Sequence, residues 1–312
     1  MSYPTYILCP GQGAQAVGMG KDLYESSDDA RDVFDRADQV LGFGLSAICF
    51  DGPEERLNQT DISQPAIYVT GVASFHAAIR TGAIDPVSVR GYAGLSLGEY
   101  TALHLAGAFG FEEGLRLVAA RGRFMQDAAV ASPSGMVALL GADESQVDQL
   151  CKESAGGEVL VPANLNAPGQ IVVSGSAGAC QRVLKAAEAA GFKATALKVA
   201  GAFHSPLMQG AADRMSAQLE RAALQQPGVP VFSNVTAKPH GEASSISRLL
   251  VDQIVSPVQW ERTMKALLTD EGARFVELAP GRTLAGLAKR INRRTLVESV
   301  GTARALSAAQ AP

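Results

Sequence analysis

The change in element order between residues 129 and 199 constrains this chain more than any other feature. Within that stretch, apolar runs at 136–140, 159–164, 170–174 and 194–199 predict strands, and helical periodicity at 143–154 and 177–190 predicts helices. The order is strand, helix, strand, strand, helix, strand. On either side, single strands are separated by one or two helices. A short buried strand at 5–9 is ended by Pro10-Gly11. Helices follow at 28–41, with Val33, Phe34, Ala37 and Leu41 on one face, and at 63–80, opened by Ser63 near Pro65. A strand at 87–95 runs into helices at 99–109 and 112–128. Past residue 200, strands are predicted at 229–234, 274–278 and 296–300, and helices at 206–223, 244–254, 258–269 and 283–293.

Alternation of strands with helices argues for a parallel sheet covered by helices. The middle order is that of a ferredoxin-like βαββαβ unit. The expected fold class is therefore α/β, with a large parallel-sheet domain formed by 1–128 and 200–312 and an inserted ferredoxin-like subdomain at 129–199. The chain's 312 residues suffice for that division. The alanine-rich tail from Thr302 is expected to be loose.

Composition narrows the function classes. With 27 Lys+Arg against 31 Asp+Glu, the basic surplus of a nucleic-acid protein is missing. Cys9, Cys49, Cys151 and Cys180 form no C-x-x-C pair, so neither a zinc site nor a redox motif is expected, and reduced buried thiols fit the cytoplasm. The first residues lack the regions of a secretory signal, and no apolar run reaches the ~20 residues of a membrane span.

The strand at 87–95 delivers Gly94-Leu-Ser96-Leu-Gly98, the G-x-S-x-G pattern of a nucleophile elbow. A sharp strand-to-helix turn strains the serine and crowds its neighbours; glycines relieve the crowding. The helix behind aims N–H groups and its positive dipole end at a developing oxyanion. A serine nucleophile needs a base. Of the four histidines, His76 reads as a helix-face residue, His104 as structural and His240 as part of an exposed turn. His204, in the loop Gly201-Ala-Phe-His-Ser-Pro206, is the favoured base. No carboxylate stands out as its partner; a backbone carbonyl or an amide side chain would hold the imidazole in one tautomer, giving a Ser–His dyad.

Several segments together carry a resemblance. Pro10-Gly-Gln-Gly-Ala-Gln15, Gln64-Pro-Ala66, the elbow, Arg121-Gly-Arg-Phe-Met-Gln126, Ala202-Phe-His-Ser-Pro-Leu-Met208, Ser233-Asn234 and Gln253-Ile-Val-Ser-Pro-Val-Gln-Trp260 run in order along nearly the whole chain. In this set the sequence resembles the malonyl-CoA:acyl carrier protein transacylases of fatty acid and polyketide synthesis. The resemblance implies an α/β-hydrolase-like domain with a ferredoxin-like insert. It implies Ser96 as nucleophile, His204 as base, the amides of Gln12 and Leu97 as the oxyanion hole, and Arg121, Asn234 and Gln253 on the substrate side, the Gln253 carbonyl orienting the histidine.

Chemistry gives Arg121 a motive, since a guanidinium fork suits the free carboxylate of a malonyl group. Two departures accompany the match: Leu95 precedes the serine where the family usually has His, and Cys9 stands where Phe is common. The expected activity is malonyl transfer from malonyl-CoA to the phosphopantetheine thiol of an acyl carrier protein, by a monomer, with no metal or cofactor. A hydrolase clearing carrier proteins and a non-catalytic carrier-protein-binding module are the rivals. Glu99 is expected to cap the elbow helix, and Trp260 to sit in the core.

Overall fold

The computed structural model describes residues 3–309; the first two residues of the N-terminal stretch and the last three of the tail lie outside the described residues. Among the described residues nine strands form two sheets. Strands β1 (Thr5–Cys9), β2 (Val89–Gly94), β7 (Val231–Phe232), β8 (Arg274–Glu277) and β9 (Val297–Ser299) make one; β3 (Ser134–Leu140), β4 (Leu160–Ala167), β5 (Gln170–Ser176) and β6 (Lys193–Ala196) make the other. The first has the order β7-β2-β1-β8-β9, and every pairing is parallel. The second is antiparallel throughout, in the order β4-β5-β3-β6.

Side-chain alternation explains how the parallel sheet is covered. Ile7 and Cys9 point into a core that includes Ala66, Ile67 and Val118 from the helices Thr60–Arg80 and Phe111–Ala131. Leu8 and Ala93 point the other way, onto Trp260, Met264 and Leu284. A sheet buried on both faces reads as a continuous apolar run, which is what 5–9 shows. Trp260 is core, as expected.

The strand order reverses at β1: the chain passes first to β2 on one side and returns later to β8 on the other. Such reversals open a crevice beyond the carboxyl ends of the strands. Cys9 pairs with Gly94, so the Pro10-Gly11 loop and the elbow leave the sheet side by side at that crevice.

The second sheet uses its two faces differently. Val137, Leu139, Val173 and Ile171 pack under the helices Glu144–Ala155 and Ala177–Ala189. Met136 and Val172, in alternate register, join the main core. The edge strand β4 also binds the loop before Trp260: the Leu165 N–H donates to the Val258 carbonyl at 2.9 Å, and the Val258 N–H returns to Ala163 at 2.9 Å.

The helix at 28–41 forms where expected, because Ser27 caps its first turn, Gly42 (φ 74°) ends it and Val33, Phe34 and Ala37 are buried. Other boundaries moved. The helix expected from Ser63 begins at Thr60 and carries Pro65 inside it. The helix Phe111–Ala131 runs past the boundary placed at 128. The stretch 206–223 is a 3₁₀ turn, Pro206–Met208, followed by a helix at Gln209–Leu219. The tail expected to be loose forms a helix at Ala303–Ala309, held by the Ala303 N–H on Asp22 Oδ2 (2.7 Å) and by burial of Leu306. Among the described residues no helix is long and apolar enough to cross a membrane.

Candidate active site

Ser96 sits between the end of β2 and the helix Gly98–Leu105 with φ 51°, in the left-handed region. A non-glycine residue there costs on the order of 1–2 kcal/mol, so the surroundings must enforce it. They do so at both glycines. A Cβ on Gly94 would overlap the Gly98 carbonyl, and one on Gly98 would overlap the carbonyl oxygen of Cys9. From below, Asn234 Oδ1 accepts the Ser96 N–H at 2.6 Å, while Asn234 Nδ2 donates to the Gly94 carbonyl at 2.6 Å. Gln253 Nε2 donates to the Ser96 carbonyl at 3.0 Å. One asparagine thus bridges the two ends of the turn, though it lies 138 residues away in the chain.

His204 also lies in the left-handed region, φ 57°. Its Nε2 is 2.8 Å from Ser96 Oγ. Its Nδ1–H donates to the main-chain carbonyl of Gln253 at 2.7 Å. A carbonyl can only accept, so Nδ1 carries the proton and Nε2 is free to take the serine proton. The Gln253 carbonyl belongs to the last turn of the helix Ala243–Val255, where carbonyls lack intrahelical partners. The imidazole therefore satisfies a helix end, and the negative end of that helix favours the imidazolium formed during the reaction. In the resting site, burial and the Arg121 cation together draw the His204 pKa down to about 4. The ring is a neutral base at neutral pH.

Arg121 is 1% exposed. Gly122 lets its helix press against the first turn of Thr60–Arg80: a Cβ there would lie 2.7 Å from the Thr60 carbonyl oxygen. That approach brings Arg121 Nη1 to Gln64 Oε1 at 2.6 Å. Nη2 donates to Gln253 Oε1 (2.8 Å) and to Ser96 Oγ (3.1 Å). All three partners are neutral, and among the described residues Nε has none. Burial lowers the guanidinium pKa, but an arginine in a protein stays charged. The result is a buried cation one hydrogen bond from the nucleophile, without a carboxylate in contact. Buried ionic groups are normally paired, and here the acceptor is missing.

A cleft of about 240 Å³ opens over the dyad. Gln12, Ser96 and His204 form its floor, and Asn164, Gln170 and Lys198 come from the second sheet and the segment after it. Among the described residues, the Gln12 and Leu97 amides donate to no protein acceptor. They are the two donors expected for an oxyanion, and their loops pass so close that a Cβ on Gly11 would overlap the Leu95 carbonyl oxygen.

The chain matches the family described as acyl transferase domain over residues 5–307. It belongs to that family. The malonyl CoA-acyl carrier protein transacylase of Bacillus subtilis is 40% identical over 92% of this chain and 90% of its own length. The solved structure of the malonyl CoA-acyl carrier protein transacylase from Coxiella burnetii superposes with a TM-score of 0.94 at 37% identity, covering 98% of this chain and 97% of that one. A type II polyketide acyl carrier protein complex with its malonyl-transacylase matches with a TM-score of 0.93 at 37% identity, over 98% of both chains. The acyl transferase family and the mixed α/β architecture with separate parallel and antiparallel sheets thus agree.

The acyl transferase site brings Ser96, His204, Arg121, Gln12, Leu97, Asn234 and Gln253 to one end of the parallel sheet. Of the three residues expected on the substrate side, none lines the cleft: Asn234 and Gln253 brace the elbow, the base and the guanidinium from behind, and Arg121 reaches the site through its bond to Ser96 Oγ. His240, expected in an exposed turn, instead buries its ring completely and donates from Nε2 to Glu99 Oε1 at 2.7 Å. Glu99, expected as a helix cap, is also fully buried and accepts from the Asn234 N–H (3.0 Å) and Gln253 Nε2 (2.7 Å). Gln64 was singled out only as part of a matching segment; its contact with Arg121 depends on a helix crossing that no local pattern encodes. His104 is structural, its Nδ1 donating to the Phe109 carbonyl at 3.0 Å.

Proposed function

We propose that this acyl transferase moves a malonyl group from malonyl-CoA to the phosphopantetheine thiol of an acyl carrier protein, through an ester on Ser96. The observation that carries the reading is Arg121: a buried guanidinium with neutral partners and an N–H already on the nucleophile oxygen. The names of the relatives support the same transfer, and the complex of a malonyl-transacylase with an acyl carrier protein supports the acceptor.

The steps balance. Ser96 Oγ attacks the thioester carbon while His204 Nε2 takes the serine proton. The oxyanion rests on the Gln12 and Leu97 amides, each contributing on the order of 3 kcal/mol. The C–S bond breaks, and the imidazolium protonates the departing CoA sulfur. The malonyl carboxylate carbon is then three atoms from Oγ. Esterification weakens Oγ as an acceptor, and the Nη2–H that it held turns to the carboxylate. The carrier thiol reverses the sequence, giving its proton to His204 as it attacks the ester. The route draws on side chains and backbone amides alone.

An α/β-hydrolase-like domain (1–128 with 200–312) and a ferredoxin-like insert (129–199) describe the chain best. The strand order β4-β5-β3-β6, with one helix after β3 and one after β5, supports the latter name. A cytoplasmic setting is supported by four buried free thiols. The exposed Lys289, Arg290, Arg293 and Arg294 lie at the far end of the helix that brings Thr283 and Leu287 to the cleft, and they suit an acidic carrier protein.

Incubation with mixed CoA esters followed by intact mass measurement tests the reading. The malonyl adduct is expected to dominate, to vanish in Ser96→Ala and to be discharged by holo carrier protein. In Arg121→Ala, preference for malonyl over acetyl should fall by on the order of 10³, because sites built around a polar contact discriminate that strongly. A malonyl adduct persisting in Ser96→Ala, or hydrolysis unaffected by carrier protein, overturns it.

A further inference from the structure

We propose that Glu99 and His240 are positioning residues for this transfer: a buried pair that fixes the amide of Gln253, and through it both the base and the anion-binding guanidinium. The inference rests on the acyl-transfer reading and assigns the third layer of the same site.

The dyad has no carboxylate in direct contact. His204 leans on the Gln253 carbonyl, so the imidazole is only as well placed as that glutamine. Gln253 is held by its side chain. Nε2 donates to the Ser96 carbonyl and to Glu99 Oε2, and Oε1 accepts from Arg121 Nη2. Which end of the amide faces Arg121 is decided by Glu99. A carboxylate can only accept, so it draws the NH₂ group toward itself and leaves Oε1 for the guanidinium. Turned over, the amide would present donors to Arg121 and an oxygen to Glu99, two repulsive contacts in a buried space.

Glu99 has to stay in place to act in this way. It is fully buried, and its other oxygen receives the His240 Nε2–H at 2.7 Å. The His240 side chain is itself fully buried, and among the described residues its Nδ1 has no partner. Holding Glu99 is thus the one hydrogen bond the ring makes from its side chain. The same carboxylate accepts the Asn234 N–H, which ties the brace under the elbow to the brace behind the base.

The test compares His240→Leu, His240→Asn and His240→Gln with the unaltered protein. Pre-steady-state formation of the malonyl-serine ester and the malonyl-over-acetyl preference are measured, and thermal melting confirms folding. Gln retains an N–H long enough to reach Glu99; Asn is too short and Leu has none. A mispositioned base and guanidinium should slow ester formation about tenfold or more and lower the preference in the Leu and Asn variants. The Gln variant should recover most of both. If Leu does not fold, the Asn–Gln contrast carries the same comparison. Rates and preference unchanged in all three, or lost equally in Asn and Gln, overturn the proposal. Absence of a malonyl ester on the unaltered protein would instead remove the reading beneath it.

Discussion

The two groups proposed to react, Ser96 and His204, sit on turns of the same backbone handedness, yet the turns are built in different ways. Ser96 (φ 51°) is flanked at two residues' distance by glycines that have no room for a Cβ against main-chain atoms. His204 (φ 57°) stands between Phe203 and Ser205, and the glycine nearby, Gly201, is packed tightly against Cβ and Cα of Ala129 on another helix. The nucleophile's turn is written into five consecutive residues. The base's turn is held by what folds onto it: the Ser205 hydroxyl on the Ala202 carbonyl (2.6 Å), the helix end at Gln253 and the neighbouring helix at Ala129. A chain can encode a strained residue locally through backbone crowding, or remotely through capping and packing, and this site uses one of each.

The contrast breaks most sharply at the glycines. Gly98→Ala should abolish measurable transfer and destabilise the fold by roughly 3 kcal/mol or more, since the added methyl meets backbone that cannot move. Gly201→Ala should cost less than Gly98→Ala but still slow transfer by about tenfold or more, since its methyl would meet the Cβ and Cα of the buried Ala129 at 2.6 and 2.8 Å, where the Gly98 methyl would meet a carbonyl oxygen at 2.1 Å. Equal losses in the two, by ester formation and chemical denaturation, would erase the distinction.

A smaller effect separates the braces. Asn234→Ala leaves the Ser96 amide and the Gly94 carbonyl without their buried partners, at a cost of about 1–3 kcal/mol for each unsatisfied group. Ester formation should slow by roughly one to two powers of ten, with the affinity for malonyl-CoA little changed, because the asparagine does not line the cleft. A shift in affinity alone would move it to the substrate side.

The smallest change is expected with acid. An ordinary histidine base would lose activity below its usual pKa of about 6.5. With His204 drawn down to about 4, kcat/KM should stay flat from pH 7 to 5 and fall only near 4. The stability sign follows. The folded pKa is depressed, so the unfolded chain takes up the proton first as pH falls below about 6.5. The contribution is whole above that value and shrinks through the window down to about 4. An acid limb near 6.5 would mean that the ring is more open to water than its burial indicates.

Much of this was legible before the fold. The G-x-S-x-G turn, the alternation around it and the βαββαβ order were plain because each follows from short-range sterics and side-chain period. His204 was reachable as a loop histidine near a strand end. The tail helix was missed because a single buried leucine among alanines sets no period, and Leu306 gains its meaning only from the core it enters. His240 looked exposed because Pro239 and Gly241 mark a turn, and a turn says nothing about where its side chain lies.

By itself, then, the chain determined most of its elements, the turn that carries Ser96 and the pattern of its two sheets, since these depend on neighbours a few residues apart. Tertiary structure alone decided that Gln64, Glu99, His240 and the side chain of Gln253 would join Arg121 and His204 behind the serine. Those partners come from distant helices and loops, and a hydrogen bond depends on distance in space, whatever the separation along the chain.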